Sequence, residues 1–156
     1  RNCRVINAIP SRAGCCLGGE NGIGGGRLGT YIKLEHAYAG NNWRNGLSVV
    51  GAFYSRVIGG IFENTTGVSP NCGIDLEPDG ASSALEDVIL DGVSCINNAQ
   101  HGINIHGANI AKCAITHPYL IANAAWGILG GTGTTVHWAR GSGNGSGLLS
   151  GVTDSN

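Results

Sequence analysis

A glycine followed by apolar residues at alternate positions recurs along this chain: Gly46-Leu47-Ser48-Val49, Gly73-Ile74-Asp75-Leu76, Gly102-Ile103-Asn104-Ile105 and Gly127-Ile128-Leu129, with a degenerate start at Asn21-Gly22-Ile23. From 46 to 73, 73 to 102 and 102 to 127 the spacings are 27, 29 and 25 residues. Alternation with period two marks a short strand with one face turned inward. Its return at a near-constant interval marks a repeat, in which each unit buries its apolar side only against its neighbours. Within each unit a β-rich run also ends in Asn before the next Gly: Leu34 to Asn41, Val57 to Asn64, Val88 to Asn97 and Ile110 to Asn123. Asn tolerates left-handed backbone, and its amide can bond the same residue one coil on. Asn41 or Asn42, Asn64, Asn97 and Asn123 are therefore expected to form a ladder at one corner of a solenoid.

Composition agrees with a chain that turns often. The 156 residues hold 28 Gly, are 42% hydrophobic and only 12% charged, and carry a net charge of -1. One domain is expected, and disorder is excluded by the apolar content. The absence of a basic face argues against nucleic acid as a partner, and no apolar run reaches the roughly 18 residues of a membrane span. The sequence has no Met, so a processed product or a piece of a longer chain is expected. Residues 1–21 read as an amino-terminal cap or continuation, 22–149 as the solenoid and 150–156 as a tail too weak to cap its end alone. Six cysteines (Cys3, Cys15, Cys16, Cys72, Cys95, Cys113) show no C-x-x-C pair and read as buried thiols. Asn64-Thr65-Thr66 and Asn144-Gly145-Ser146 match the glycosylation sequon.

The repeat, the Asn corners and above all Gly73-Ile74-Asp75-Leu76-Glu77-Pro78 resemble the right-handed parallel β-helix proteins of the pectate-lyase-like superfamily, which include bacteriophage tailspikes and bacterial polysaccharide lyases and epimerases. The resemblance spans roughly residues 22 to 149. It implies an all-β right-handed parallel β-helix of about five to six coils of about 25 residues. It also implies three strands per coil, a stacked aliphatic interior and a polysaccharide lying along the outside. From the phage members it implies a homotrimer or part of a larger spike assembly, placed outside the cell or on a virion surface.

Candidate chemistry gathers on the strand from Gly73. Asp75 and Glu77 alternate with Ile74 and Leu76, so both carboxylates are expected on the solvent side, roughly 6.5 to 7 Å apart, and Pro78 ends the strand. With the glycines in register, Ser48, Asp75 and Asn104 form one outward column, and Val50, Glu77 and His106 the next. Paired carboxyls are what glycoside hydrolysis needs, and His106 is a candidate base for uronate elimination. Ser48, Asn104, Asp79 and His101 are candidate substrate-binding residues. No Lys or Arg occurs between Arg56 and Lys112, whereas seven acidic residues do. That excess repels a polyanion and favours hydrolysis of a neutral glycan over lysis of a uronate.

Gly73 to Glu77 is also similar in shape to the Gly-aromatic-Asp-Pro-His motif of mannuronan epimerases, with Glu77 where their His stands. Asp75, Glu77 and Asp79 offer hard oxygens to Ca²⁺, but alternating strand carboxylates converge poorly; no metal or cofactor is expected, with Ca²⁺ as the alternative. Tyr31, Lys33 and Glu35 read as solvent-facing around Ile32 and Leu34, and Trp43 and Trp126, each just before a repeat Gly or close to it, as corner packing. Trp138 reads as a stacking face, and His36, His117 and His137 as ordinary histidines. The favoured function is a tailspike-like polysaccharide depolymerase, a glycoside hydrolase rather than a lyase, acting on a bacterial surface glycan. The alternatives are a non-catalytic structural or receptor-binding spike segment and, further, a uronate lyase or epimerase.

Overall fold

Why the repeat glycines must be glycines is plain from their surroundings in the computed structural model, which describes residues 4–6, 29–31, 33–78, 80 and 83–155. A Cβ on Gly46 would lie 2.6 Å from the carbonyl oxygen of Gly73; one on Gly73, 2.8 Å from that of Gly102; one on Gly102, 2.6 Å from that of Gly127. The glycines thus stack one above another where the chain bends inward, and any side chain there would strike the backbone of the next coil.

The short strands all pair in parallel and form four sheets. Sheet I follows the glycines: β5 (Leu47–Val49), β9 (Ile74–Leu76), β13 (Ile103–Ile105), β17 (Trp126–Leu129) and β20 (Gly147–Ser150). Sheet II holds β2 (Gly29–Thr30), β6 (Ala52–Phe53), β10 (Leu85–Glu86) and β14 (Ile110–Ala111). Sheet III holds β3 (Lys33–Glu35), β7 (Arg56–Ile58), β11 (Ile89–Asp91), β15 (Cys113–Thr116) and β18 (Thr134–His137). Sheet IV holds β1 (Arg4–Ile6), β4 (Tyr38–Gly40), β8 (Ile61–Glu63), β12 (Ser94–Ile96), β16 (Tyr119–Ile121) and β19 (Arg140–Ser142). The chain is an all-β parallel solenoid of about five turns of about 25 residues. Each full coil crosses four short sheets rather than the three strands that the resemblance implies, because single left-handed residues break what would be one longer strand.

Those residues form three columns. Tyr31, Tyr54, Asp87 and Lys112 have φ of 58°, 51°, 53° and 53° between sheets II and III. His36, His117 and Trp138, with Gly59 and Gly92, turn the chain between sheets III and IV, and Asn41, Asn64, Asn97 and Ala122 turn it after sheet IV. All three columns repeat at 23, 33 and 25 residues (31 to 54 to 87 to 112, and likewise for the others). The long coil carries two insertions relative to the one before it: four residues between Asn64 and Gly73, and six between Leu76 and Asp87. Both flank β9.

Inward residues stack in file: Leu34, Val57, Leu90, Ile115 and Val136 on sheet III, and Leu47, Ile74, Ile103 and Ile128 on sheet I, each no more than 5% exposed. Sheet IV contributes Phe62, Cys95 and Leu120. Cys72, Cys95 and Cys113 are buried free thiols, and burial raises the pKa of each; Cys3, Cys15 and Cys16 lie outside the described residues.

The Asn ladder exists but is split in two: Asn64 and Asn97 bond as expected, whereas Asn123 belongs to a second column one residue further along each coil. On the outer column Asn97 Nδ2 donates to Asn64 Oδ1 at 2.7 Å, in solvent. The next residue of each coil points inward. There Asn98 Nδ2 donates to Asn123 Oδ1 (2.8 Å) and Asn123 Nδ2 to Asn144 Oδ1 (2.9 Å). The amide nitrogens of Asn98, Asn123 and Asn144 also donate to the Phe62, Cys95 and Leu120 carbonyls of the preceding coil, at 3.2, 3.1 and 3.0 Å. Asn64 and Asn97 therefore supply the left-handed corner, while Asn98, Asn123 and Asn144 hold the coils together. At the end of the chain Ser155 N–H donates to the Val136 carbonyl, Asp154 accepts from the Ala139 N–H, and Val152 packs against the core.

Candidate functional site

Register on sheet I follows the glycines: Ser48 pairs with Asp75 and Asp75 with Asn104. The expected column is therefore real, but its exposure is not as expected. Asp75 is 2% exposed, Ser48 4% and Asn104 9%. The cause is Asn45, a buried residue of the turn into β5. Its Nδ2 donates to Asp75 Oδ2 at 3.1 Å and to Ser48 Oγ at 3.0 Å, and its Oδ1 accepts the Cys72 N–H at 3.1 Å. From the other side Asn104 Nδ2 donates to Asp75 Oδ1 at 2.9 Å. Asp75 is thus a sealed carboxylate between two amides, not a solvent-facing group.

Burial pushes the Asp75 carboxyl up to about 6; the Asn104 amide pulls it down, the neighbouring Glu77 charge raises it, and the Arg44 guanidinium opposes that. The charge of Arg44, one coil before, acts on Asp75 from a distance, so the acidic stretch is not without a cation. Elsewhere in that stretch Lys112 Nζ pairs with Glu86 Oε1 at 2.7 Å. The excess of negative charge counted along the sequence is therefore partly compensated in space.

Glu77 and His106 sit at the open side of the cluster. His106 Nδ1 lies 3.4 Å from Glu77 Oε1, with side chains 74% and 38% exposed respectively. Next to them Pro78, Gly80, Ala108 and Asn109 line a depression of about 360 Å³. Gly107 lets the chain pass Pro78 there: its φ is 123° and a Cβ would sit 3.0 Å from the proline Cδ. Asp79 lies outside the described residues.

His101 stands apart from this group, half-buried, its Nδ1 accepting the Trp126 N–H at 3.3 Å, and burial lowers its pKa. That is a corner role. Trp43 and Trp126 pack against glycines as expected: a Cβ on Gly67 would be 2.2 Å from the Trp43 ring and one on Gly147 would be 2.8 Å from the Trp126 ring. Tyr31 is 76% exposed and stacks on Tyr54 at 5.4 Å. His117, read from the sequence as an ordinary histidine, is stacked on Trp138 at 4.7 Å and lies 3.3 Å from Asp91. Sequence reasoning missed Arg44 and Asn45; both lie immediately before Gly46, and their sequence distance from Asp75 is close to one coil.

Among the described residues no group of three or more His, Cys, Asp or Glu is placed to hold a metal ion, and no helix is long and apolar enough to cross a membrane. Comparison with known proteins gives no match: no protein-family model, no curated protein and no solved structure is significantly similar to this chain.

Proposed function

We propose that this chain is the solenoid module of an extracellular protein of the pectate-lyase-like kind, and that it binds a polysaccharide on its outer surface without cleaving it. The sealing of Asp75 carries this reading. Hydrolysis of a glycosidic bond needs two carboxyls that both reach the bond or its water, and one of the two here is 2% exposed with both oxygens held by amides. What remains accessible is Glu77, His106 and the adjoining depression, a set that can hydrogen-bond sugar hydroxyls. A homotrimer of the tailspike type fits the same reading, in which the module is a receptor-binding segment of a spike. A neutral glycan suits it better than a uronate, since the accessible pair offers one carboxylate and no permanent cation.

The test is a binding survey of purified chain against bacterial surface polysaccharides, paired with a reducing-end assay. Binding without release of reducing ends is expected, weakened severalfold by Glu77→Gln or His106→Ala with the circular dichroism unchanged. Light scattering on the same sample reads the trimer. Release of reducing ends that Glu77→Gln abolishes would overturn the binding reading in favour of hydrolysis. That second reading has one observation behind it: burial on β9 raises the Asp75 carboxyl beside Glu77 to about 6, the behaviour wanted of a general acid.

A further inference from the structure

Two segments carry the Asn-X-Ser/Thr pattern, Asn64-Thr65-Thr66 and Asn144-Gly145-Ser146, and the fold treats them differently. Asn144 is a rung of the inner ladder. Its Oδ1 accepts from the Asn123 N–H at 3.1 Å and from Asn123 Nδ2 at 2.9 Å, while its own Nδ2 donates to the Leu120 carbonyl at 3.0 Å. The nitrogen that a glycan would occupy is committed to holding two coils together.

Asn64 stands on the outer column, at φ 55° on the corner after β8. Its Oδ1 accepts from Asn97 Nδ2 at 2.7 Å, so the bond to the next coil uses the oxygen of the amide and not its nitrogen. That nitrogen has no hydrogen bond among the described residues. Thr66 is exposed; its backbone N–H donates to the Asn42 carbonyl at 3.1 Å, and its hydroxyl has no hydrogen bond among the described residues. Glu77 and His106 lie beyond the opposite end of the sheet I strands, so a chain of sugars on Asn64 leaves the depression open.

We propose that Asn64 is an N-glycosylation site, and that of the two sequons it is the one the folded chain accepts. The co-reactant is a lipid-diphosphate-linked oligosaccharide, in a secretory compartment that holds the matching transferase. In the transfer Asn64 Nδ2 forms a bond to C1 of the reducing-end sugar. The bond from C1 to the diphosphate oxygen breaks, the lipid diphosphate leaves with the electron pair, and the amide proton passes to a base of the transferase. Nothing is oxidised or reduced. Transfer to Asn144 on the nascent chain would block closure of the inner ladder, so such chains are retained rather than secreted.

The experiment is expression of the whole chain behind a cleavable secretion signal in cultured eukaryotic cells. Secreted and cell-retained material are both treated with peptide-N-glycosidase in ¹⁸O water and mapped by peptide mass. The expected result is one glycan on the secreted chain, with the isotope label at Asn64 and none at Asn144. Thr66→Ala abolishes that glycan, and Ser146→Ala leaves it unchanged. An unmodified Asn64 in both fractions, or a glycan on Asn144 of the secreted chain, overturns the proposal.

Discussion

Replacing Asn123 by Ala, beside a parallel replacement of Asn97, asks which of two neighbouring Asn columns holds the solenoid together. The Asn123 side chain makes four hydrogen bonds: its Nδ2 donates to Asn144 Oδ1 and the Cys95 carbonyl, and its Oδ1 accepts from the Asn98 N–H and Asn98 Nδ2. It is 0% exposed, so water does not replace them. At about 1 kcal/mol net for each bond, Asn123→Ala costs about 4 kcal/mol, and the orphaned Asn98 N–H adds to that. Asn97 loses a single solvent-exposed bond. Its left-handed φ is tolerated by Ala, because Ala122 holds the equivalent corner at φ 53°. Asn97→Ala therefore costs about 1 kcal/mol.

Urea unfolding followed by circular dichroism reads the difference. With a slope of about 2 kcal/mol per molar, Asn123→Ala lowers the midpoint by about 2 M and Asn97→Ala by about 0.5 M. Should Asn123→Ala fail to accumulate as folded protein, Asn144→Ala at the end of the ladder, which loses three bonds, is the milder variant, at about 3 kcal/mol. Equal midpoints for the inner and outer variants, or greater damage from Asn97→Ala, would refute the assignment of cohesion to the inner column.

Asp75 gives stability a pH slope of definite sign. Its folded pKa is raised from 3.8 to about 6, so the folded state holds this proton more tightly than the unfolded one; stability falls as pH rises from about 4 to about 6 and is then level, the loss being of the order of 3 kcal/mol. In urea titrations at a series of pH values Asp75→Asn removes that component, and an identical slope in the variant sinks the claim. Gly102→Ala places a Cβ 2.6 Å from the Gly127 carbonyl oxygen and is expected to prevent folded protein from accumulating, whereas Gly92→Ala, which meets no atom within 4 Å, costs only the left-handed backbone strain of about 1–2 kcal/mol; soluble yield and thermal unfolding compare the two. Asn42 is buried and neither amide atom has a hydrogen-bond partner among the described residues; it lies opposite Thr65, the one inner-column position between Asn42 and Asn144 without an amide. Thr65→Asn continues the ladder to Asn42 while giving up the Thr65 hydroxyl bond to the Asn71 carbonyl, for a net gain of about 1 kcal/mol read as a rise in the melting temperature of about 2–4 °C.

The fold was legible because its two constraints are written as residue types. Gly46, Gly73 and Gly102 recur since a Cβ at any of them would strike the next coil, and the alternation after them recurs since each strand has one side in the core. Coil length was legible only on average. The spacings of 27 and 29 residues from Gly46 to Gly73 to Gly102 conceal corner spacings of 23 and 33, because the inserted residues fall on both sides of β9. The division of each coil among four sheets was not legible. It depends on single residues such as Tyr54, Lys112 and Trp138 adopting left-handed φ, a conformation for which their side chains carry no intrinsic preference. Two Asn columns read as one because Asn97 and Asn98 are adjacent and both are amides: Asn97 bonds Asn64, whereas Asn98 bonds Asn123. Only the direction of the turn decides which enters the core.

The candidate site shows what linear reading of a solenoid leaves out. Charge and polarity there must be summed along the stack, where a neighbour is one coil away in sequence and about 4.8 Å away in space. Lys112 meets Glu86 across 26 positions, Tyr38 meets Glu63 across 25 and Asn45 meets Asp75 across 30. Counted between Arg56 and Lys112 the chain is an acidic block, yet the cation that acts on Asp75 is Arg44, outside that block and 31 positions before it. The same geometry overturned the exposure of Asp75. Period-two alternation says that its side chain leaves the core, but says nothing about what lies outside the sheet, and there the turn residue Asn45 closes over it. An amide immediately before the repeat Gly, present at Asn45 and replaced by Cys72, His101 and Trp126 in the later coils, was the available signal. Among the coils from Gly46 onward it marks the one whose turn can cover an outward carboxylate on the next. Asp75 thereby acts on the solenoid's cohesion and on its response to pH, while Glu77 and His106, with no such cover, stay exposed.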